Sequence, residues 1–282
     1  MFKIVNKQML GSDVKRLDIL AETIAVKAQP GQYVMVIPQE GGEWLPQTIV
    51  EADPRRKTIS LIFPEAGPAA KQLGAMAINQ NIYSIIGPLG RPSTVEKAGL
   101  VICVSSGAAT AQILPVCRSL TKAGNKVIGV IGAKTRRALV LEAQMRLSCH
   151  KLYIATNDGS YERRGRATDI VRQLLDQEKI RLVYAVGSPE MMKAVCELTR
   201  SRRIKTLVQL SPAMPCGLGL CGACRVRVAG DVVLACEKGL EFNGHQVDFS
   251  YLAVRSGVPL KAEEEISLHP SGLRITVPEK KQ

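Results

Sequence analysis

The sequence predicts an antiparallel β-barrel, then a doubly wound parallel α/β sheet, then a small loop domain rich in cysteine. Three observations predict it. Residues 1–95 break into short apolar runs punctuated by turn residues, and residues 98–211 alternate continuous apolar runs with helix-patterned stretches. Four of the eight cysteines fall between positions 216 and 236. A chain of 282 residues is also too long for one small core, so several domains are expected. The expected boundaries are 1–95 for the barrel, 96–211 for the sheet, 212–250 for the cysteine domain and 251–282 for a C-terminal tail.

In the barrel, "YVMVIP", "TIV", "TISLIF" and "IYSIIG" are short enough for strands. The segments "QPGQ", "EGGE", "ADPRRK" and "GPLG" carry the Gly, Pro and Asp that turns require. One short helix fits Ala69 to Met76. In the sheet region, "GLVICVSS", "KVIGVIGA", "KLYIATN", "RLVYAVG" and "KTLVQLS" are apolar on both strand faces, as buried parallel strands are. Helices fit between them near 109–123, 137–147, 166–177 and 189–202. Ile113, Leu114, Cys117 and Leu120 make a helical stripe in the first, and Pro189 opens the last, where a missing N–H costs nothing. Beyond residue 212, "RVRVAGDVVLAC" predicts a hairpin turning at Gly230-Asp231. The tail reads as a docking segment.

The charge is uneven. Residues 96–205 hold 20 basic and 9 acidic residues, so most of the net +13 lies in the middle of the chain. Such a field attracts phosphate-bearing ligands or an acidic protein partner. Nucleic acid is disfavoured, because no aromatic-studded basic stripe accompanies the charge. No apolar run reaches the roughly 18 residues of a membrane span, and "MFKIVNKQML" lacks a signal-peptide core. The scattered Cys103, Cys117, Cys149 and Cys196 do not form a secreted disulfide framework. They read as buried thiols of a cytoplasmic protein.

"PCGLGLCGACRV" and "VVLACEKG" set Cys216, Cys221, Cys224 and Cys236 at the spacing C-x4-C-x2-C-x11-C. The first three intervals match the plant-type [2Fe–2S] pattern. Three thiolates on one tight loop reach both irons, and a fourth arrives from a neighbouring strand. The interleaved glycines let backbone N–H groups approach the sulfides. Zinc is the rival, but structural zinc usually takes paired cysteines from two knuckles. The cluster is the preferred reading.

With these parts in order, the chain resembles the ferredoxin-reductase-like electron-transfer subunits. That group includes the dihydroorotate dehydrogenase electron-transfer subunit and the small subunit of NADH-dependent ferredoxin:NADP oxidoreductase, of the sulfide dehydrogenase type. The second is the closer likeness, carried by "PGQYVMV", "GPLGRPS", "GAKTRRALVLEAQM", "LYIATNDGSY", "GSPEMMKAVCELTR" and "GLGLCGACRVRVAGDVVLACEKGLEFNGHQVDF". In that subunit the first ligand position can be Asp; the all-cysteine set here is the dihydroorotate-type arrangement. The resemblance implies FAD on a ferredoxin-reductase-type barrel, NAD(P)(H) on the sheet, and electrons passing through the cluster to a second subunit.

For FAD, the resemblance points to Pro46, Gln47 and Thr48 of "EWLPQT", to Gly67 of "AGPAAKQ" and to Gly87 of "GPLG". Trp44 and Leu45 stand where the family has an Arg for the pyrophosphate, and Pro68, Ala69 and Ala70 replace a donor-rich loop. For NAD, it points to Gly107 of "SSGAATAQ", Asp158 and Gly159 of "NDGSY", and Gly187 and Met191 of "GSPEMM". Ala108 and Ala109 narrow a turn that is glycine-rich in the family.

Three functions fit. The first is an electron-transfer subunit of a multi-subunit flavin/iron–sulfur oxidoreductase, incomplete as an enzyme on its own. The second is a degenerate subunit that has lost FAD or NAD and keeps the cluster as relay or scaffold. The third is a redox- or metal-sensing interaction protein. No side chain reads as a general acid or nucleophile, so no catalytic residue is assigned. The expected partner is a larger catalytic flavoprotein or iron–sulfur subunit in a hetero-oligomer, with an acidic ferredoxin-like protein as a further candidate.

Overall fold

The first seven strands are β1 (Phe2–Met9), β2 (Val14–Leu20), β3 (Tyr33–Ile37), β4 (Leu45–Asp53), β5 (Thr58–Pro64), β6 (Asn81–Ile82) and β7 (Ser84–Leu89). They form one antiparallel sheet in the order β6-β1-β2-β5-β4-β3-β7. Its edge strands are consecutive in sequence, so the sheet curls into a barrel that all but closes. Ile4, Leu17, Val34, Ile59, Leu61 and Phe63 fill the interior. Two helices plug the ends, α1 (Glu22–Lys27) and α2 (Pro68–Ala75). The sequence reading missed α1 because its six residues are too few to carry a helical period. The computed structural model describes residues 2–11 and 13–255.

The second sheet is built from β8 (Leu100–Ser106), β9 (Lys126–Ala133), β10 (Lys151–Thr156), β11 (Arg163–Arg164), β12 (Leu182–Val186) and β13 (Lys205–Gln209). All six run parallel. The chain order reverses between β8 and β12. Helices α3 (Thr110–Lys122) and α4 (Glu142–Ser148) cover one face; α5 (Ala167–Gln177) and α6 (Pro189–Arg200) cover the other. The stretch expected to be helical from 137 begins as one 3-10 turn and then runs extended. Val140 and Leu141 are buried in that extended segment, and Leu141 turns left-handed (φ +60°) before α4 starts. Burying two apolar side chains outweighs their helical pattern.

The cysteine domain has the hairpin β14 (Arg225–Val228) and β15 (Asp231–Leu234), the one-turn helix α7 (Ala235–Lys238), the strand β16 (Glu241–Asn243) and helix α8 (Phe249–Arg255). Val228 pairs with Asp231, so the two-residue turn is Ala229-Gly230, one position earlier than expected. Both turn residues have positive φ (+54° and +91°), as a primed hairpin turn requires. β16 runs antiparallel to β13 and extends the second sheet. The tail reading is corrected over its first residues, since Tyr251 to Arg255 belong to α8; residues 256–282 lie outside the described residues.

Both faces of the second sheet share their cores with the barrel. Val14, Val50 and Ile62 join the α3 side. Tyr33 and Met35 join the α5–α6 side, together with Cys224, Val226, Cys236 and Leu240 of the cysteine domain. β3 explains this second junction. Its alternate residues Val34 and Val36 point into the barrel, so Tyr33 and Met35 point out toward the cysteines.

Candidate functional site

The four clustered cysteines come together as two pairs. Cys224 and Cys236 are buried, with their sulfurs 3.2 Å apart. Cys216 is half-buried and Cys221 exposed, and the Cys221 side chain lies near enough to influence the Cys216 thiol. Cys236 lies in the first turn of α7, which corrects the expectation that the fourth cysteine sits on a strand. The N–H of Ala235 donates to the carbonyl of Cys224 (3.1 Å), which brings the inner pair together. Among the described residues no three His, Cys, Asp or Glu side chains converge on the place of a single ion. Three cysteines on one glycine-rich loop and a fourth from α7 suit two metal atoms sharing bridging ligands better than one tetrahedral zinc.

The loop before Cys224 is shaped for such a group. Gly217 and Gly219 hold φ of +64° and +80°, which other residues rarely adopt. A Cβ on Gly217 would lie 2.6 Å from the Met35 side chain. Backbone N–H groups of Leu218, Leu220 and Cys221 turn toward the Cys216 sulfur. The Leu218 N–H, with the Cys221 side chain next in effect, lowers the Cys216 thiol to about 6. Burial and the Cys224 thiol push Cys236 up to about 12. Cys216 is thus set toward thiolate, while Cys224 and Cys236 are buried, as ligands facing solvent and core respectively would be. Leu218 and Leu220 stand exposed beside Cys221.

Two barrel residues that sequence reasoning left unassigned support this loop. The Tyr33 hydroxyl donates to the carbonyl of Gly217 at 3.1 Å, and the ring is 1% exposed. Burial first, then the neighbouring Cys236, Cys224 and Cys216, push the phenol well above its ordinary range, so it stays a donor. Met35 packs beneath Gly217. The available signal was "YVMVI", a barrel strand apolar at every position, which implies burial on both faces.

The residues expected at a flavin gather around β3. Thr48, Gln47 and Pro46 on β4 pair with Tyr33, Val34 and Met35. Gly87 lies on β7, on the other flank of β3; a Cβ there would meet Val34 at 2.7 Å, so packing alone accounts for the glycine. Gly67 caps α2 and lies apart from this group, beside a cleft of about 340 Å³ lined by Gly41, Gly42, Glu43, Pro68, Ala69 and Gln72. No cation lines the cleft, and Glu43 brings a carboxylate. It is a poor seat for a pyrophosphate. Trp44 is half-buried against the core shared with the cysteine domain, where a solvated Arg would not pack.

Of the residues expected at a nicotinamide nucleotide, Gly107, Gly187 and Met191 meet at the ends of β8 and β12, where the strand order reverses. Open α/β sheets bind ligands at such a crevice. A Cβ on Gly187 would lie 2.4 Å from both Met191 Cε and Ser106 Oγ. Asp158 and Gly159 lie farther along the same edge, after β10. The Asp158 carboxylate accepts from the Ser160 N–H (3.0 Å) and hydroxyl (2.7 Å), which lowers its pKa. Beside it a cleft of about 450 Å³ is lined by Asn157, Gly165, Arg166 and Asp169. Exposed Lys134, Arg136, Arg137, Arg163 and Arg164 also rim this edge. Gln209, paired with Val186 at the end of β13, is 1% exposed and leaves both side-chain amide atoms without a partner.

Residues 211–248 match the family model of the iron-sulfur cluster binding domain of dihydroorotate dehydrogenase B. The chain is 32% identical over 265 residues to the dihydroorotate dehydrogenase B (NAD(+)), electron transfer subunit homolog of Thermotoga maritima, covering 94% of this chain and 93% of that one. The chain belongs to the family of these electron transfer subunits and their homologues. A further relative, the electron transfer subunit of Geobacillus thermodenitrificans, is 27% identical over 253 residues, 86% of this chain and 96% of that protein. Among solved structures, a chain of NADH-dependent reduced ferredoxin-NADP oxidoreductase superposes with a TM-score of 0.86 at 32% identity, covering 95% of this chain and 96% of the other. A Plasmodium falciparum ferredoxin-NADP+ reductase shares the fold at a TM-score of 0.56, 15% identity and coverage of 73% and 94%. The resemblance to electron transfer subunits read from the sequence is borne out, as is the barrel, parallel-sheet and C-terminal iron–sulfur architecture. Among the described residues no helix is long and apolar enough to cross a membrane.

Proposed function

We propose that this chain is the electron-transfer subunit of a hetero-oligomeric oxidoreductase and carries one [2Fe–2S] cluster on Cys216, Cys221, Cys224 and Cys236. The observation that carries the reading is the arrangement of the thiols as an inner and an outer pair on a glycine-rich loop. When bound, such a cluster supplies one-electron transfer at a potential tuned by hydrogen bonds and burial. The Cys216–Cys221 pair and the apolar Leu218 and Leu220 mark the side open to a partner. Cys224 and Cys236 face the core they share with β3. The relatives named as electron transfer subunits support a larger catalytic flavoprotein or iron–sulfur subunit as that partner. The exposed basic rim also suits an acidic ferredoxin-like protein. Eight unpaired cysteines support a cytoplasmic setting.

FAD and NAD(P)(H) belong to the same reading. Pro46, Gln47, Thr48 and Gly87 would face the flavin ring, with Gly67 at the pyrophosphate end. Gly107, Gly187, Met191, Asp158 and Gly159 would line the nicotinamide nucleotide, and the orphaned Gln209 amide supports a polar occupant, ligand or water, beside that crevice. The cation-free cleft at α2 favours a specific form of this proposal, in which flavin is held weakly or only with the partner. Each lost charge-assisted phosphate contact weakens binding by about 1.5–3 kcal/mol. Losing two lowers affinity by roughly two to four powers of ten. Attraction from the basic domain offsets part of this, but salt screens it over about 8–10 Å.

The test is anaerobic purification from the native host, with flavin measured in the complex and in the isolated chain at low and high salt. A hetero-oligomer is expected, with flavin sub-stoichiometric in the isolated chain at high salt and restored with the partner. Stoichiometric FAD surviving high salt in the isolated chain would overturn partner-dependent binding. A monomer that alone reduces a physiological acceptor at full rate would overturn the subunit reading.

A further inference from the structure

We propose that Tyr33 is a positioning residue for the iron–sulfur cluster, holding the cysteine loop against the barrel through its hydroxyl and raising the cluster's reduction potential. This rests on the cluster assignment above. The loop from Pro212 to Cys224 has no strand or helix of its own, so contacts from elsewhere must fix its shape. Tyr33 reaches it from a strand buried on both faces and donates to the carbonyl of Gly217, next to Cys216. The ring is locked in turn. Gly90, at φ +74°, would place a Cβ 2.9 Å from the Tyr33 ring, so only glycine lets the ring lie there. Met35, one pleat along, fills the space beneath Gly217. Neighbouring β4 carries Pro46 to Thr48, so one pair of strands connects the cluster loop to the expected flavin segment.

The electrostatic sense follows from the bond's direction. The hydroxyl hydrogen points at the Gly217 carbonyl and offsets its partial negative charge beside the cluster. Removing it leaves that carbonyl dipole uncompensated in a buried setting, which disfavours the added electron. Tyr33→Phe should therefore lower the midpoint potential. The limit is the factor that one net hydrogen bond carries, about tenfold in the one-electron equilibrium or about 59 mV.

The experiment is an anaerobic redox titration of the full chain, followed by electron paramagnetic resonance. Iron and labile sulfide are measured first in the unmodified chain, so absence of a cluster there would reject the cluster assignment and not the role of Tyr33. Tyr33→Phe is expected to shift the potential downward and to quicken iron release to a chelator by up to about tenfold. Tyr83→Phe, at an exposed barrel tyrosine, is expected to change neither. A 3-fluorotyrosine placed at position 33 keeps the ring and hydroxyl but strengthens the donor, and should move the potential upward. It also serves if Tyr33→Phe folds poorly. A potential and spectrum unchanged in the variants that fold would overturn the proposal.

Discussion

Cys216 and Cys149 make opposite predictions from the same functional group. Cys216 sits on the loop whose N–H groups favour its thiolate, and its partner is the exposed Cys221. Cys149 donates its thiol hydrogen to the carbonyl of Met145 at 2.9 Å, and the Cys117 thiol and burial push its pKa up. Cys216→Ser replaces a soft ligand by a hard one. Visible absorption and electron paramagnetic resonance should show the cluster lost or strongly shifted in that variant. Cys149→Ser keeps a donor for Met145 and should leave the cluster spectrum unchanged. The distinction was legible in the sequence, because only one set of cysteines has ligand spacing. The hydroxyl bond from Tyr33 was not. Position 33 and Gly217 are 184 residues apart, and nothing local in either segment announces the other.

Among the elements, the turn at Gly244–Gln246 fastens the cysteine domain to α6. His245 Nε2 lies 3.0 Å from Thr199 Oγ1, and the Arg200 guanidinium donates to the His245 carbonyl at 2.6 Å. A Cβ on Gly244 would come within 2.5 Å of Cys196 Sγ, so the backbone there sits directly on the helix. Burial, helped by Arg200, lowers the His245 pKa below its ordinary value. The unfolded chain therefore takes up the proton first as pH falls. The increment of stability is fully present above about pH 6.5 and is lost as pH drops through the lower folded-state value. Thermal unfolding followed from pH 7.5 to 5.5 should show a fall that His245→Gln makes shallower. A slope identical in the two chains would refute this account. Element type was largely readable here, since β8, β9, β10, β12 and β13 carry apolar runs, whereas β11 is only Arg163–Arg164. The misses were elements too short for a period or set by distant partners, such as α1, α7 and the three-residue β16 on the edge of β13.

Over the whole molecule, the two sheets and the cysteine module were each visible as a change in sequence rhythm. Their junction was not, because it is made of side chains from all three parts in common cores. That junction gives the molecule its direction. Buried Cys224 and Cys236 look inward to β3, while Cys216 and Cys221 look outward, past exposed Leu218 and Leu220. The nucleotide loops were only half-readable. Family positions could be matched, but the cation-free cleft at α2 emerges only once Glu43 and the head of that helix are seen together. All of these readings depend on the group the four cysteines hold. Iron and acid-labile sulfide, measured on anaerobically purified chain, test it most directly. The account predicts about two irons and two sulfides per chain. A stoichiometric zinc content with no labile sulfide would contradict it.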